Sequence, residues 1–100
     1  MDISITAIHF DLTEGLKEMI NERIDELKDF YGRITNATVT LREIKPGIPD
    51  NKEVMVSLMF PDAPDQVAVK TGDSYSEAMD SCLDALKRQL ERLKERNRQI

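Results

Sequence analysis

The chain has no tryptophan, one cysteine, one histidine and only four glycines in 100 residues. Each scarcity closes off a class of protein. A single cysteine, Cys82, cannot form an intramolecular disulfide and cannot found a zinc site on cysteine pairs, which suits a reducing compartment. Gly32, Gly47 and Gly72 stand isolated in separate turns, so no glycine-rich loop exists to cradle a phosphate. No stretch approaches the roughly 18 consecutive apolar residues of a membrane span, and no basic segment followed by an apolar run opens the chain. The expectation is a cytoplasmic protein with no membrane partner.

Catalytic groups are equally scarce. His9 falls at the end of a strand with Asp11 two residues on, and no serine or cysteine stands near it in a recognisable motif, so a surface histidine accounts for it. Glu14, Glu18, Glu22, Asp25, Glu26 and Asp29 are spread along the solvent side of an amphipathic helix. Asp62 and Asp65 sit in a proline-rich loop that lacks the alternating ligands and glycine of a calcium loop. No enzyme, metal, cofactor or small-molecule substrate is therefore expected.

What is present is pattern. With 40% apolar residues, 100 residues can cover one sheet face and two helix stripes, and they leave no room for a second domain. Residues 2–8 alternate, placing Ile3, Ile5 and Ala7 on one face of a strand. Thr13 predicts the N-cap of a helix running to about Tyr31, with Leu16, Met19, Ile20, Ile24 and Leu27 as its apolar stripe and Gly32 ending it. Residues 38–42 and 54–60 read as two strands of an antiparallel hairpin joined by a loop over residues 45–51. Both faces of the second are fairly apolar, so it should be central. A breaker at residues 61–65 leads to a short strand over 66–71. Asp73 or Ser74 caps a last helix reaching at least Glu95, striped by Ala78, Met79, Cys82, Leu83, Leu86, Leu90 and Leu93, on which Cys82 acts as a small hydrophobe. This order predicts an α+β two-layer sandwich, βαβββα, with a four-stranded sheet, both helices on one face and the other face open. A ferredoxin-like fold would need one more strand after the second helix, and no strand pattern follows it.

The formal net charge of −5 argues against a nucleic-acid partner, yet the average conceals an asymmetry. Residues 1–86 carry 8 basic and 17 acidic side chains, whereas residues 87–100 carry 6 basic and 2 acidic. A last helix of 22 or more residues spans about 33 Å, longer than a typical strand, so its basic end should project past the sheet. Two readings of that end stay open. Cations at a helix C-terminus favour the dipole and pair with Glu91 and Glu95. Alternatively, six cations on a rod make a phosphate contact surface.

Several segments then carry a resemblance across nearly the whole chain. Ile3-Ser4-Ile5-Thr6, Leu12-Thr13-Glu14-Gly15-Leu16 and above all Leu27-Lys28-Asp29-Phe30-Tyr31-Gly32-Arg33-Ile34 are similar to the first strand and helix of the bacterial hibernation-promoting factor and ribosome-associated inhibitor family, also called the sigma-54 modulation protein family. Asp73-Ser74-Tyr75, Ala78-Met79-Asp80 and Leu86-Lys87-Arg88-Gln89-Leu90 resemble its final helix. The resemblance implies a fold akin to a double-stranded-RNA-binding domain. It further implies a partner, the small ribosomal subunit and its rRNA, bound in the channel of messenger and transfer RNA so that translation is blocked. By position it implies rRNA contacts at Arg23, Arg33, Arg42 and Lys45, and at Lys87, Arg88, Arg92 and Lys94 near the end of the last helix. Glu26 stands where the family often has lysine, and the last helix carries one extra residue around Tyr75 to Glu77. The chain stops soon after that helix, as in the short members, which implies a second hibernation factor as a partner for ribosome pairing. A rival reading makes the chain a self-associating module, a homodimer zipped by Leu86, Leu90, Leu93 and Asn97.

Overall fold

A computed structural model of the chain describes residues 1–98, and the side chains of residues 97 and 98 lie outside the description. The elements are β1 (Asp2–Ala7), α1 (Glu14–Phe30), β2 (Asn36–Glu43), β3 (Lys52–Met59), β4 (Gln66–Gly72) and α2 (Tyr75–Arg98). They form one sheet in the order β1-β2-β3-β4. β1 runs parallel to β2, while β2–β3 and β3–β4 are antiparallel. Parallel neighbours need a crossover, and α1 is that crossover. The expected βαβββα sandwich is the fold observed, with β3 an interior strand.

Alternation decides which sheet face carries the core. Ala37, Val39 and Leu41 on β2 are buried and stand in register with Leu58, Val56 and Val54 on β3. Ile20, Ile24 and Leu27 of α1 and Met79, Leu86 and Leu90 of α2 close over them with no exposed surface. Truncating any of these leucines or isoleucines to alanine removes transfer energy and leaves a void, at a cost of about 2–5 kcal/mol. Cys82 joins this core as expected, its Sγ 3.3 Å from the Val54 carbonyl oxygen, and burial pushes its thiol up to about 11. On the other face Met55, Met59, Val67 and Val69 are exposed. They are the second apolar side that the β3 sequence displayed.

The hairpin strands run longer than alternation alone indicated. The ladder continues to the Glu43–Lys52 pair, whose side chains lie 3.4 Å apart as an ion pair. α1 begins where Thr13 predicted, its hydroxyl accepting from the Leu16 N–H at 3.2 Å. Its end requires a correction. Gly32 does not supply a left-handed cap; Gly47, in the hairpin loop, is the one glycine with positive φ, at 82°. Instead Tyr31 turns extended, and the Lys28 ammonium donates to the carbonyls of Gly32 and Ile34 at 2.8 and 2.9 Å. The helix closes on the Tyr31 N–H, which donates to the Leu27 carbonyl at 2.8 Å, and Lys28 ties down the segment that follows.

α2 is capped by Ser74 rather than Asp73. The Ser74 hydroxyl accepts from the Glu77 N–H, and the Glu77 carboxylate accepts from the Asp73 N–H, each at 3.1 Å, a variant of the capping box. Asp73 is occupied elsewhere, accepting the Asp50 N–H at 2.8 Å and so tying the hairpin loop to the start of α2. Gly72 is needed for close approach, since a Cβ there would lie 2.9 Å from the Ala78 nitrogen. From this anchor α2 stays packed on the sheet as far as Leu93.

Candidate nucleic-acid interface

The cations singled out by resemblance fall into three settings. The first is the seam between the helices. Arg23 on α1 meets Asp80 on α2 at 2.7 Å, and Lys87 on α2 meets Glu26 on α1 at 2.9 Å. The hydrogen bond and charge of Asp80 hold the Arg23 guanidinium above its ordinary pKa. Further along, the Lys94 ammonium lies 3.8 Å from the centre of the Phe30 ring, a close cation–π contact, with Glu91 and Glu95 bordering the same depression. These three cations staple α2 to α1.

A second group sits on the sheet and its loops. Arg42 and Glu53 are register partners on β2 and β3, and their side chains meet at 2.5 Å, which holds Arg42 above its ordinary pKa. Arg33, before β2, pairs with Asp62 in the loop after β3. The two arginines lie at opposite ends of β2, about 25–30 Å apart along a strand of that length. Lys45 is exposed in the hairpin loop, and its side chain has no partner among the described residues.

The third setting is the outer flank of α2. Arg88 and Arg92 are exposed and have no acidic partner among the described residues. Arg96, which the resemblance did not single out, completes their row: positions 88, 92 and 96 recur every four residues, about 6 Å of rise per step. That i, i+4 spacing was legible in the sequence. Arg92 and Arg96 line an open groove of about 250 Å³ with Gln89, Gln66 and Pro64, and Gln89 donates to the Val67 carbonyl at 3.1 Å. The Arg33–Asp62 pair belongs to this same end of the sheet, whereas Arg42 and Lys45 belong to the other.

A row of untethered arginines can hold a polyanion without any covalent step. Among the described residues no cluster of three or more histidine, cysteine, aspartate or glutamate side chains is placed to hold a metal ion. Among the same residues no helix is long and apolar enough to cross a membrane.

Four strands beneath two helices, with cations gathered along the outer flank of the last one, define a small α+β binding domain. The comparison with known proteins narrows it: the chain belongs to the family described as Sigma 54 modulation protein / S30EA ribosomal protein, whose model matches residues 3–98. A ribosome hibernation promoting factor of Pseudomonas putida (KT2440) is 25% identical over 100 residues, covering 100% of this chain and 93% of that protein. One from Acidithiobacillus ferridurans is 36% identical over 44 residues, which is 44% of this chain and 56% of that one. The fold matches a ribosomal subunit interface protein from Coxiella burnetii with TM-score 0.81 at 19% identity, covering 95% of this chain and 99% of that one. It also matches the Protein Y N-terminal domain of Thermus thermophilus with TM-score 0.77 at 16% identity, covering 93% and 99%. The chain is thus a member of a ribosomal-protein family, and the relatives it resembles across its length are ribosome hibernation promoting factors.

Proposed function

We propose that residues 1–100 act in the cytoplasm as one domain that seats itself in the small-subunit channel and excludes messenger and transfer RNA. The observation that carries this reading is the row Arg88, Arg92 and Arg96, exposed and without acidic partners among the described residues, on the last helix of a member of a ribosomal-protein family. These arginines grip rRNA phosphates first. Lys45 adds a contact at the other end of the sheet, while Arg23, Arg33, Arg42, Lys87 and Lys94 engage only by giving up their present partners. Each such exchange forgoes the pair it breaks, about 0–1 kcal/mol for an exposed ion pair, and so adds less than a contact from an unpaired arginine. Inhibition is steric and no bond is made or broken.

Co-sedimentation with small subunits at rising salt tests the proposal. Counterion release predicts a log–log slope of about −0.7 to −0.9 per phosphate engaged. Absence of co-sedimentation at low salt would overturn it. The same gradients, run with and without a second hibernation factor, read out whether ribosomes pair. The rival module zipped by leucines loses its basis here, since Leu86, Leu90 and Leu93 are buried in the chain's own core. Asn97, its fourth member, lies outside the described side chains.

A further inference from the structure

The basic row occupies one end of α2; a different constellation surrounds the other. Thirteen residues of helix, about 20 Å, separate Tyr75 from Arg88. Around Tyr75 lies an open cleft of about 620 Å³. It forms where β1 and β2 end and where β3 and α2 begin; Phe10 and Tyr75 rest one side on the core, and the arginine row makes no use of it.

Its chemistry is specific. The chain has five aromatic residues. Tyr31 and Phe60 pack edge to face in the core, and Phe30 lies under Lys94. The remaining two, Phe10 and Tyr75, stack on each other in the cleft wall with centroids 5.3 Å apart and planes 16° from parallel. Lys52 stands 5.9 Å from the Tyr75 ring centre, the outer limit of a cation–π contact, so a planar ring can displace it. The Glu43 carboxylate is 3.4 Å from that ammonium and accepts from the side-chain amide of buried Asn51 at 3.1 Å, which fixes its direction. Arg42 is held by Glu53, and alternation from buried Leu41 sends its side chain to the open face of the sheet, so Lys52 is the cation that stands beside Glu43. At the rim His9 adopts φ 64°, a left-handed conformation that costs a non-glycine residue about 1–2 kcal/mol. Strain of this kind collects where a fold holds a binding surface in shape.

A flat wall, a fixed carboxylate and a cation beside it select a ligand with a planar ring, adjacent N–H donors and an anionic group. Guanine presents N1–H and N2–H side by side, which a carboxylate accepts together; adenine has a ring nitrogen acceptor at the first of these positions. We propose that this cleft binds a guanine nucleotide, with the base stacked on the Phe10–Tyr75 pair, its N1–H and N2–H on Glu43 and its phosphate at Lys52. Base–aromatic stacking supplies about 1–3 kcal/mol, and the carboxylate supplies the discrimination. The guanine can belong to a free nucleotide or to an unpaired nucleotide of an RNA. The proposal stands apart from the ribosome reading and fails or holds separately from it.

The test is an amide-resolved NMR titration of the whole chain with GMP, with AMP, and with a short oligouridine containing or lacking one central guanosine. GMP should shift residues 9, 10, 43, 52 and 75 saturably, with a dissociation constant of about 1 mM or below, and AMP should bind at least about tenfold more weakly. Glu43→Gln, which keeps the shape and the Asn51 contact, should remove that preference, whereas Tyr75→Leu should weaken both ligands. Guanosine oligomer binding about tenfold tighter than GMP assigns the site to RNA, and equal binding assigns it to the free nucleotide. Both outcomes support the proposal. No saturable shift with either guanine ligand, equal affinity for AMP, or a preference that survives Glu43→Gln would overturn it.

Discussion

The two flanks of α2 carry cations in comparable number and in opposite condition. On the flank facing α1, Lys87 is tied to Glu26 and Lys94 lies over Phe30. On the outer flank Arg88, Arg92 and Arg96 have no acidic partner among the described residues. The residue types and the helix are shared; the neighbours differ. A cation already neutralised across a seam gains little by moving to a phosphate, because it must first release its anion. A free arginine loses only water and counterions. Under the proposed function, the hold of an acidic protein on RNA is set by which cations lack partners, and a formal net charge of −5 does not measure it.

Four experiments sharpen or break this contrast. The largest effect belongs to the outer flank: Arg88→Glu with Arg92→Glu should weaken small-subunit binding by about 100-fold, equivalent to about 1.4 kcal/mol per contact, as measured by co-sedimentation. The neutral pair Arg88→Gln and Arg92→Gln should flatten the salt slope by about 0.7–0.9 per residue.

Next comes the face between the flanks, which carries no charge. Burial raises the Cys82 thiol to about 11, so above its ordinary value the unfolded chain ionises first and the native state loses ground. Stability should be level below that value and fall by about 2 kcal/mol on approach to pH 11, since a tenfold change in an ionisation constant is worth about 1.4 kcal/mol. Urea melts across this range should show Cys82→Ala less stable at neutral pH yet losing less on alkalinisation.

The inner flank should respond weakly. Lys87→Gln with Lys94→Gln is expected to lower ribosome affinity by no more than about threefold; a loss as large as that from the arginines would erase the distinction. The smallest effect runs in the opposite direction. Glu26→Gln frees Lys87 and should tighten binding about twofold, with a slightly steeper salt dependence, while a thermal melt moves little.

Much of the fold was legible in the sequence because its signals are periodic and local. Val39, Leu41, Val54 and Val56 alternate, Ile20, Ile24 and Leu27 recur at helical steps, and Thr13 sits where an N-cap must. Gly32 misleads for a physical reason: composition shows that a glycine can close a helix, but it does not show that the backbone turns extended at Tyr31 while Lys28 holds the carbonyls of Gly32 and Ile34 beyond it. The candidate interface was only half legible. The arginine row follows from spacing alone, including Arg96. The staples do not, since Lys87 and Glu26 are 61 positions apart and Arg23 and Asp80 are 57 apart. The cleft was invisible for the same reason, as it gathers Phe10, Glu43, Lys52 and Tyr75 from four separate elements or their ends. The same cations that marked the last helix as basic therefore needed their distant partners placed before they could be sorted.

The placement of the aromatic rings gives the protein two built-in optical reporters. With no tryptophan to mask them, its near-ultraviolet fluorescence comes from two tyrosines. Tyr31 is enclosed by the core against Phe60, so its emission tracks the integrity of the domain. Tyr75 stands in the wall of an open cleft against Phe10, where solvent and ligand reach it. Tyr31→Phe and Tyr75→Phe separate the two emissions, so unfolding and occupancy can be followed in one cuvette without an added dye.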